Sequence, residues 1–185
     1  MQRNRRFHPV IVLVILTLLP AAVPAARQKT YLERLAIARE QHDMTRLHKT
    51  KQGAHIRHFS SDGCSGGMSS SWHYLARKIP AFSKHFHKHP PWLDCCTRHD
   101  MAYWQGETEN GFHKRLQADR ELQRCVVQQG DRIAARISKK YGIPENKVKR
   151  YFRITARLMF HAVRAGGGPC TPFPWRWGYG WPKCK

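Results

Sequence analysis

Four stretches of the chain repeat their apolar positions with the three-to-four-residue period of an amphipathic helix. The predicted helices are Tyr31 to about Thr45, Trp92 to Trp104, Phe112 to Gln129 closed by Gly130, and roughly 145–164. Their apolar faces include Tyr31, Leu35 and Ala38 in the first helix, and Val148, Tyr151, Phe152, Thr155, Leu158, Met159 and Val163 in the last. No strand-dominated pattern interrupts them, so the sequence predicts a mainly α fold.

Each of the two central helices carries a polar residue in the middle of its apolar stripe. On a helical wheel of about 100° per residue, His99 lies among Trp92, Cys95, Cys96, Ala102 and Tyr103. Asp119 is similarly flanked by Phe112, Leu116, Leu122 and Val126. A buried carboxylate is costly unless it is paired or hydrogen-bonded, which makes His99 the natural partner of Asp119.

Two alternatives remain open at this point. His99 and Asp119 form a functional pair, or each is a core residue satisfied by backbone groups or by an arginine. Asp100 cannot share the direction of His99, because adjacent helical side chains point apart. A calcium ion held together with carbonyls of a glycine-rich loop would be one physical reason for its presence, since hard cations prefer oxygen ligands.

The N-terminus has the three-part pattern of a secretory signal peptide. Arg3, Arg5 and Arg6 precede an apolar run over 10–16, which small residues follow up to Ala26. A membrane anchor is less well supported, since a span needs about 20 apolar residues. The sequence therefore predicts a secreted protein, extracellular or periplasmic, without a transmembrane anchor after processing.

Charge and cysteine content narrow the class further. The formal net charge is +21, and it falls to +18 when the signal peptide removes three arginines and no acid. Such a field favours polyanions, meaning phospholipid surfaces, nucleic acid or acidic glycans. Six cysteines in an oxidising compartment predict disulfides, and zinc is disfavoured because no CxxC pair occurs.

Three motifs in order resemble the secreted calcium-dependent phospholipases A2. The segment 95–103, CCTRHDMAY, resembles the CCxxHDxCY helix of that family. The segment 62–67, DGCSGG, resembles a short calcium loop, and 118–125, ADRELQRC, resembles the second-helix stretch. Together they cover about residues 61–126. The resemblance implies a disulfide-linked helical core with two antiparallel central helices.

The resemblance also implies a function and a site. The reaction would be calcium-dependent hydrolysis of the sn-2 ester of glycerophospholipids at anionic membrane surfaces. His99 would be the base that deprotonates water, Asp119 would orient its ring, and Tyr103 would hydrogen-bond to Asp119. The implied Ca²⁺ ligands are the Asp100 carboxylate and the carbonyls of Gly63, Ser65 and Gly67. The Ser65 amide would help to hold the oxyanion.

The family's disulfides would map to Cys64–Cys96 and Cys95–Cys125. Two cysteines that bond to each other in the family are replaced here by Ala102 and Ala118, so both partners are absent together. Cys170 and Cys184 lie outside the motifs and are expected to pair with each other.

Two further patterns allow alternatives. The aromatic tail, Pro172, Phe173, Trp175, Trp177, Tyr179 and Trp181, would either seat the protein on lipid or pack as core. His85, His87 and His89 would bind a transition metal or form a solvated surface.

The sequence thus predicts a signal peptide over 1–26, a basic N-terminal helix and linker over 27–58, a catalytic core over 59–130, and a helix with a Trp-rich tail over 131–185. The first rival to an enzyme is a non-catalytic cationic protein that binds or disrupts anionic membranes. A nucleic-acid or glycan binder is the second, although no nucleic-acid motif is visible.

Overall fold

The computed structural model describes residues 30–61, 63–64 and 89–184, which form four α-helices and no strand. The helices are α1 (Tyr31–Lys51), α2 (Leu93–Gln105), α3 (Gly111–Tyr141) and α4 (Glu145–Gly166). The prediction of a mainly α protein is confirmed. The predicted signal peptide, 1–26, lies outside the described residues.

Helix α1 begins with a capping box. The Thr30 side chain accepts a hydrogen bond from the Glu33 amide, and the Glu33 carboxylate accepts one from the Thr30 amide. The predicted end at Thr45 is wrong, because the helix continues to Lys51 and takes in the start of the expected linker. The predicted apolar face of Tyr31, Leu35 and Ala38 is exposed, and α1 packs instead through Met44 and Leu47.

Helices α2 and α3 are antiparallel neighbours. Their contacts join residue 95 to 125, 99 to 119 and 103 to 115, so one number rises as the other falls. Helix α2 follows Pro90-Pro91, where the Leu93 amide bonds to the Pro90 carbonyl. This pairing brings the centred polar residues of both helices together.

Helix α3 extends twelve residues beyond its predicted C-terminal end. The predicted end was Gln129, closed by Gly130, whereas the helix continues to Tyr141 and is capped by Gly142, whose φ is +67°. Gly130 instead allows close approach, because a Cβ there would overlap the Phe152 side chain of α4. The boundary placed between 130 and 131 therefore falls inside a continuous helix.

Helix α4 folds back antiparallel to α3 after a short connection. Most of its predicted apolar stripe faces α3, with Phe152 and Met159 buried, but Leu158 is 61% exposed and does not belong to the core. The main core combines α2, α3 and α4. Its buried residues are Cys64, Trp92, Cys95, Cys96, Leu122, Val126, Ile133, Ala134, Ile137, Val148, Phe152, Ala156 and Met159.

The tail after α4 returns across the ends of α1 and α2. Gly106 has φ +55°, and a Cβ on it would collide with the Gly178 backbone, so two glycines meet at this crossing. The Gly178 amide donates to the Tyr103 carbonyl at 2.6 Å. A second core cluster results, formed by Met44, Leu47, Tyr103, Ala118 and Trp177.

Three disulfides link these parts in the expected pairs. They are Cys64–Cys96, Cys95–Cys125 and Cys170–Cys184. The neighbouring cysteines on α2 diverge by about 100°, so this helix is fixed both to α3 and to the segment before it. Within the described ranges, no helix is long and apolar enough to cross a membrane.

Candidate active site

His99 lies on the second turn of α2, with its ring turned toward α3. The residue is 7% exposed, and its Nε2 lies 2.9 Å from Asp119 Oδ1. Its Nδ1 lies 3.9 Å from Asp100 Oδ1, beyond hydrogen-bond distance. One ring nitrogen is therefore engaged by a carboxylate, and the other faces the side on which Asp100 lies.

Asp119 is fully buried in the middle of α3 and collects several donors. Its Oδ1 accepts hydrogen bonds from His99 and from the Tyr103 hydroxyl, the latter at 2.7 Å. Its Oδ2 accepts one from Arg164 Nη1 at 3.0 Å, and Arg115 Nη1 lies 3.9 Å away. The structure thus brings His99, Asp119 and Tyr103 together.

Three further charged residues support this group, and sequence reasoning did not find them. Glu40 of α1 accepts hydrogen bonds from Arg115 Nε and Nη2 at 2.7 and 2.8 Å, and from Arg164 Nη2 at 2.8 Å. Arg115 Nη1 also donates to the Tyr103 hydroxyl at 3.1 Å. Two carboxylates and two guanidiniums therefore form one largely buried ionic network around Asp119.

The network shifts the protonation equilibria of its members. Burial lowers the pKa of His99, but the carboxylates of Asp100 and Asp119 more than offset it, so the pKa is raised above 6.5. For Asp119, burial acts upward, yet the bond to His99 and the charges of His99 and Arg115 hold its pKa below the usual value. Burial and the Asp119 charge raise the pKa of Tyr103 well above 10. Asp119 is thus an anion at neutral pH, and Tyr103 is a neutral donor.

A small cavity of about 40 Å³ lies beside the imidazole. Its polar lining includes His99 and Asp100, and its apolar lining includes Leu122 and Met159. Gly63 also lines it, with the Cys64–Cys96 disulfide holding that segment against α2. The cavity is large enough for one water molecule next to the histidine.

Of the expected calcium ligands, Asp100 and Gly63 are described and line this same cavity. Ser65 and Gly67 lie outside the described residues. No cluster of three or more His, Cys, Asp or Glu side chains that could hold a metal occurs in the described part of the chain. Asp100 accepts a hydrogen bond from the Ser61 hydroxyl at 2.6 Å, and no Lys or Arg of the described segments pairs with it. The Asp100 carboxylate and a loop carbonyl are oxygen donors of the type that Ca²⁺ prefers.

The aromatic tail belongs mostly to the core. Trp177 is 2% exposed and meets the Tyr103 ring edge-on, with 5.1 Å between ring centroids. Tyr179 and Trp181 are partly buried against the same cluster. Phe173, 45% exposed, is stacked on Trp175 at the surface. Of the histidine run, His89 is exposed, and His85 and His87 are outside the described residues.

Comparison with known proteins gave no match: no protein-family model, curated protein or solved structure is similar to this chain at a significant level.

Proposed function

We propose that this protein is a secreted, calcium-dependent hydrolase of the sn-2 ester of glycerophospholipids, built on a phospholipase A2-like pair of helices. The observation that carries the proposal is the buried bond from His99 Nε2 to Asp119 Oδ1, with His99 Nδ1 directed to the other side. A histidine oriented in this way is equipped to act as a general base.

In the proposed reaction, His99 Nδ1 takes a proton from a water molecule as that water attacks the ester carbonyl. Asp119 stabilises the resulting imidazolium. His99 then gives the proton to the leaving alkoxide, and its ring becomes neutral again. Tyr103, Arg115 and Arg164 hold the Asp119 carboxylate in place through three hydrogen bonds or ion pairs.

Calcium would be held by the Asp100 carboxylate and by the Gly63 carbonyl, together with the carbonyls of Ser65 and Gly67 that the family resemblance implies. When bound, the ion supplies positive charge that polarises the ester carbonyl and attracts the substrate phosphate. Among the described residues no lysine or arginine forms an ion pair with Asp100, whose basic neighbour is His99 at 3.9 Å, and this supports the role.

The membrane surface is the proposed site of action. The net charge, which is +21 for the full chain and +18 without the predicted signal peptide, would attract anionic lipid, and three disulfides suit an oxidising compartment. A nucleic-acid partner has no motif to support it.

The proposal is tested by fatty-acid release from vesicles that contain phosphatidylglycerol, with calcium or with a chelator. We expect release in calcium, none in chelator, and a loss of at least about 100-fold in His99→Gln, because general-base catalysis contributes at least that factor. His113→Gln, an exposed substitution on α3, is the matched control and should retain full activity.

A second candidate function is non-catalytic binding or disruption of anionic membranes. It is favoured by exposed apolar residues at the start of α1, where Tyr31 is 73% and Leu32 75% exposed. Vesicle leakage that survives both chelator and His99→Gln, with no fatty acid released from a folded sample, would replace the enzyme with this function.

A further inference from the structure

A second cavity, of about 800 Å³, lies between the segment after α1 and the C-terminal tail. Its described lining contains five basic residues and a single acid, Asp100, and none of His99, Tyr103 and Asp119 lines it. The basic residues are His55, Arg57, His58, Arg176 and Lys183. The cavity therefore carries a net positive charge, and it adjoins the small cavity beside His99, with which it shares Asp100.

Arg176 is the central feature of this cavity. It is 3% exposed, so its charge is almost entirely removed from water. Its Nη2 donates to the carbonyls of Trp181 and Pro182, each at 2.8 Å. Its Nε is buried and has no hydrogen-bond partner, and none of the described carboxylates forms an ion pair with it.

Arg57 brings a second positive charge to the same place. Its Nη2 donates to the Tyr179 carbonyl at 2.5 Å, and its amide donates to the Gly180 carbonyl at 2.9 Å. Both guanidiniums are thus anchored to one short stretch of tail backbone, 179–182. Burial, together with the charge of Arg57, lowers the pKa of Arg176.

Arg57 is itself exposed, but the buried Arg176 beside it has no counter-ion, which is an unfavourable arrangement for a desolvated charge. Asp100 does not relieve it, because its carboxylate bonds to Ser61 rather than to either arginine. The backbone carbonyls that fix the guanidiniums carry no net charge to neutralise them. An anion bound in the cavity would compensate both charges.

We propose that Arg57 and Arg176 form a binding site for a phosphate group, carried either by an anionic lipid headgroup or by a free soluble phosphate. Arginine forks match the oxygens of a phosphate in geometry and charge. The stacked Phe173 and Trp175 rings, which line the same cavity, offer an apolar contact for the rest of the molecule that bears the phosphate.

The test is calorimetric titration of the full disulfide-bonded chain with inorganic phosphate, without any measurement of hydrolysis. We expect saturable binding by the wild type that weakens at least about tenfold, or about 1.4 kcal/mol, in Arg57→Gln and in Arg176→Lys. Arg176→Lys keeps the positive charge but loses the planar fork, and it limits damage to the tail. Arg136→Gln removes the same charge from an exposed position on α3 and should bind as the wild type.

A parallel binding assay with phosphatidic acid vesicles and with phosphatidylcholine vesicles identifies the source of the phosphate. A loss of vesicle binding in the two cavity variants assigns a lipid headgroup, and binding of inorganic phosphate alone assigns a soluble ligand. The proposal is overturned by a wild type that binds no phosphate in either form. It is equally overturned when folded Arg57→Gln and Arg176→Lys bind as tightly as Arg136→Gln. Because fatty-acid release is not measured, either result is independent of the hydrolase proposal.

Discussion

Asp119 lies at the centre of the site and meets four polar side chains. His99, Tyr103 and Arg164 bond to its carboxylate, and Arg115 lies close by. A fully buried anion of this kind is stable only because its partners replace the water it has lost. Removing its charge leaves two guanidiniums with Glu40 as their only carboxylate within the described segments.

We expect Asp119→Asn to lower the free energy of unfolding at pH 7 by about 3–5 kcal/mol, the usual cost of breaking a buried ionic group. Chemical denaturation with urea measures it. Asp94→Asn, at an exposed position in the first turn of α2, is the control and should change stability by less than about 1 kcal/mol.

The same variant has a characteristic pH dependence. The pKa of Asp119 in the folded protein is lower than its ordinary value of 3.8, so its stabilising contribution is present above that value. The contribution is lost as pH falls through the lower, folded pKa. The stability gap between wild type and Asp119→Asn should therefore narrow below about pH 4. A gap that stays constant from pH 6 to pH 2.5 would contradict the charge-based explanation.

The sequence identified part of this group and missed the rest for a physical reason. The helical wheel placed His99, Tyr103 and Asp119 on facing stripes, since that geometry depends only on local spacing. Glu40 is 75 residues from Arg115 in sequence, and no periodicity links them. The four-residue spacing of Arg115 and Asp119 on one helix was the available signal.

Glu40 connects helix α1 to the ionic network around Asp119. Its N-terminal half is exposed, and Glu40 reaches both Arg115 and Arg164 on the other two helices. We expect Glu40→Gln to destabilise the protein by about 1.5–3 kcal/mol, the value of hydrogen bonds to charged groups. Amide hydrogen exchange should quicken first in α1.

Glu109→Gln removes a carboxylate from an exposed loop position and is the matched control, with an expected change within about 0.5 kcal/mol. Equal exchange rates in α1 for both variants would mean that Glu40 does not hold the helix in place.

Helices α3 and α4 approach closely at Gly130, where Phe152 occupies the space of a side chain. Alanine has a better helix propensity than glycine by about 1 kcal/mol, so Gly130→Ala would stabilise an isolated helix. In this pair of helices we expect a net loss of about 1–3 kcal/mol, because overpacking moves Phe152.

The experiment is a urea titration of Gly130→Ala beside Arg136→Ala, which reports propensity alone at an exposed position of the same helix. A stabilised Gly130→Ala variant would show that the two helices are not fixed at this contact.

This glycine also explains which helix ends were predictable. The ends of α2 and α4 lay within about two residues of the predicted positions. Prolines or glycines adjoin these ends, and the apolar stripe of each helix stops there. Gly130 carries the same signal as a helix end, yet it is retained for close packing between helices. Local composition cannot separate these two uses of glycine.

The tail closes the molecule by joining its first helix to its second. Leu47 of α1 and Tyr103 of α2 meet Trp177 and Gly178 in one cluster, and Cys170–Cys184 fixes the loop that carries these residues. None of this followed from the motif region, which covers only about residues 61–126. Whether the tryptophans of the tail contact lipid or pack in the core depends on that long-range packing.

We expect the double variant Cys170→Ser plus Cys184→Ser to lose about 3 kcal/mol of stability, as for other disulfide loops of about 15 residues. Near-ultraviolet circular dichroism should also lose part of its aromatic signal, since Trp177 becomes less fixed against Tyr103. Conversely, an unchanged unfolding midpoint and spectrum would mean that packing alone holds the tail.

The crossing of Gly178 over Gly106 also means that the second core cluster forms late during synthesis. Ribosomes synthesise α1 and α2 well before residue 178. Until the tail is made, Leu47 and Tyr103 lack the contacts that Trp177 and Gly178 provide in the folded protein. The nascent chain therefore cannot complete its second core cluster early, whatever the speed of helix formation. Chaperones that recognise exposed apolar surface have their longest access to the chain in this interval, which ends when the tail folds over α1 and α2.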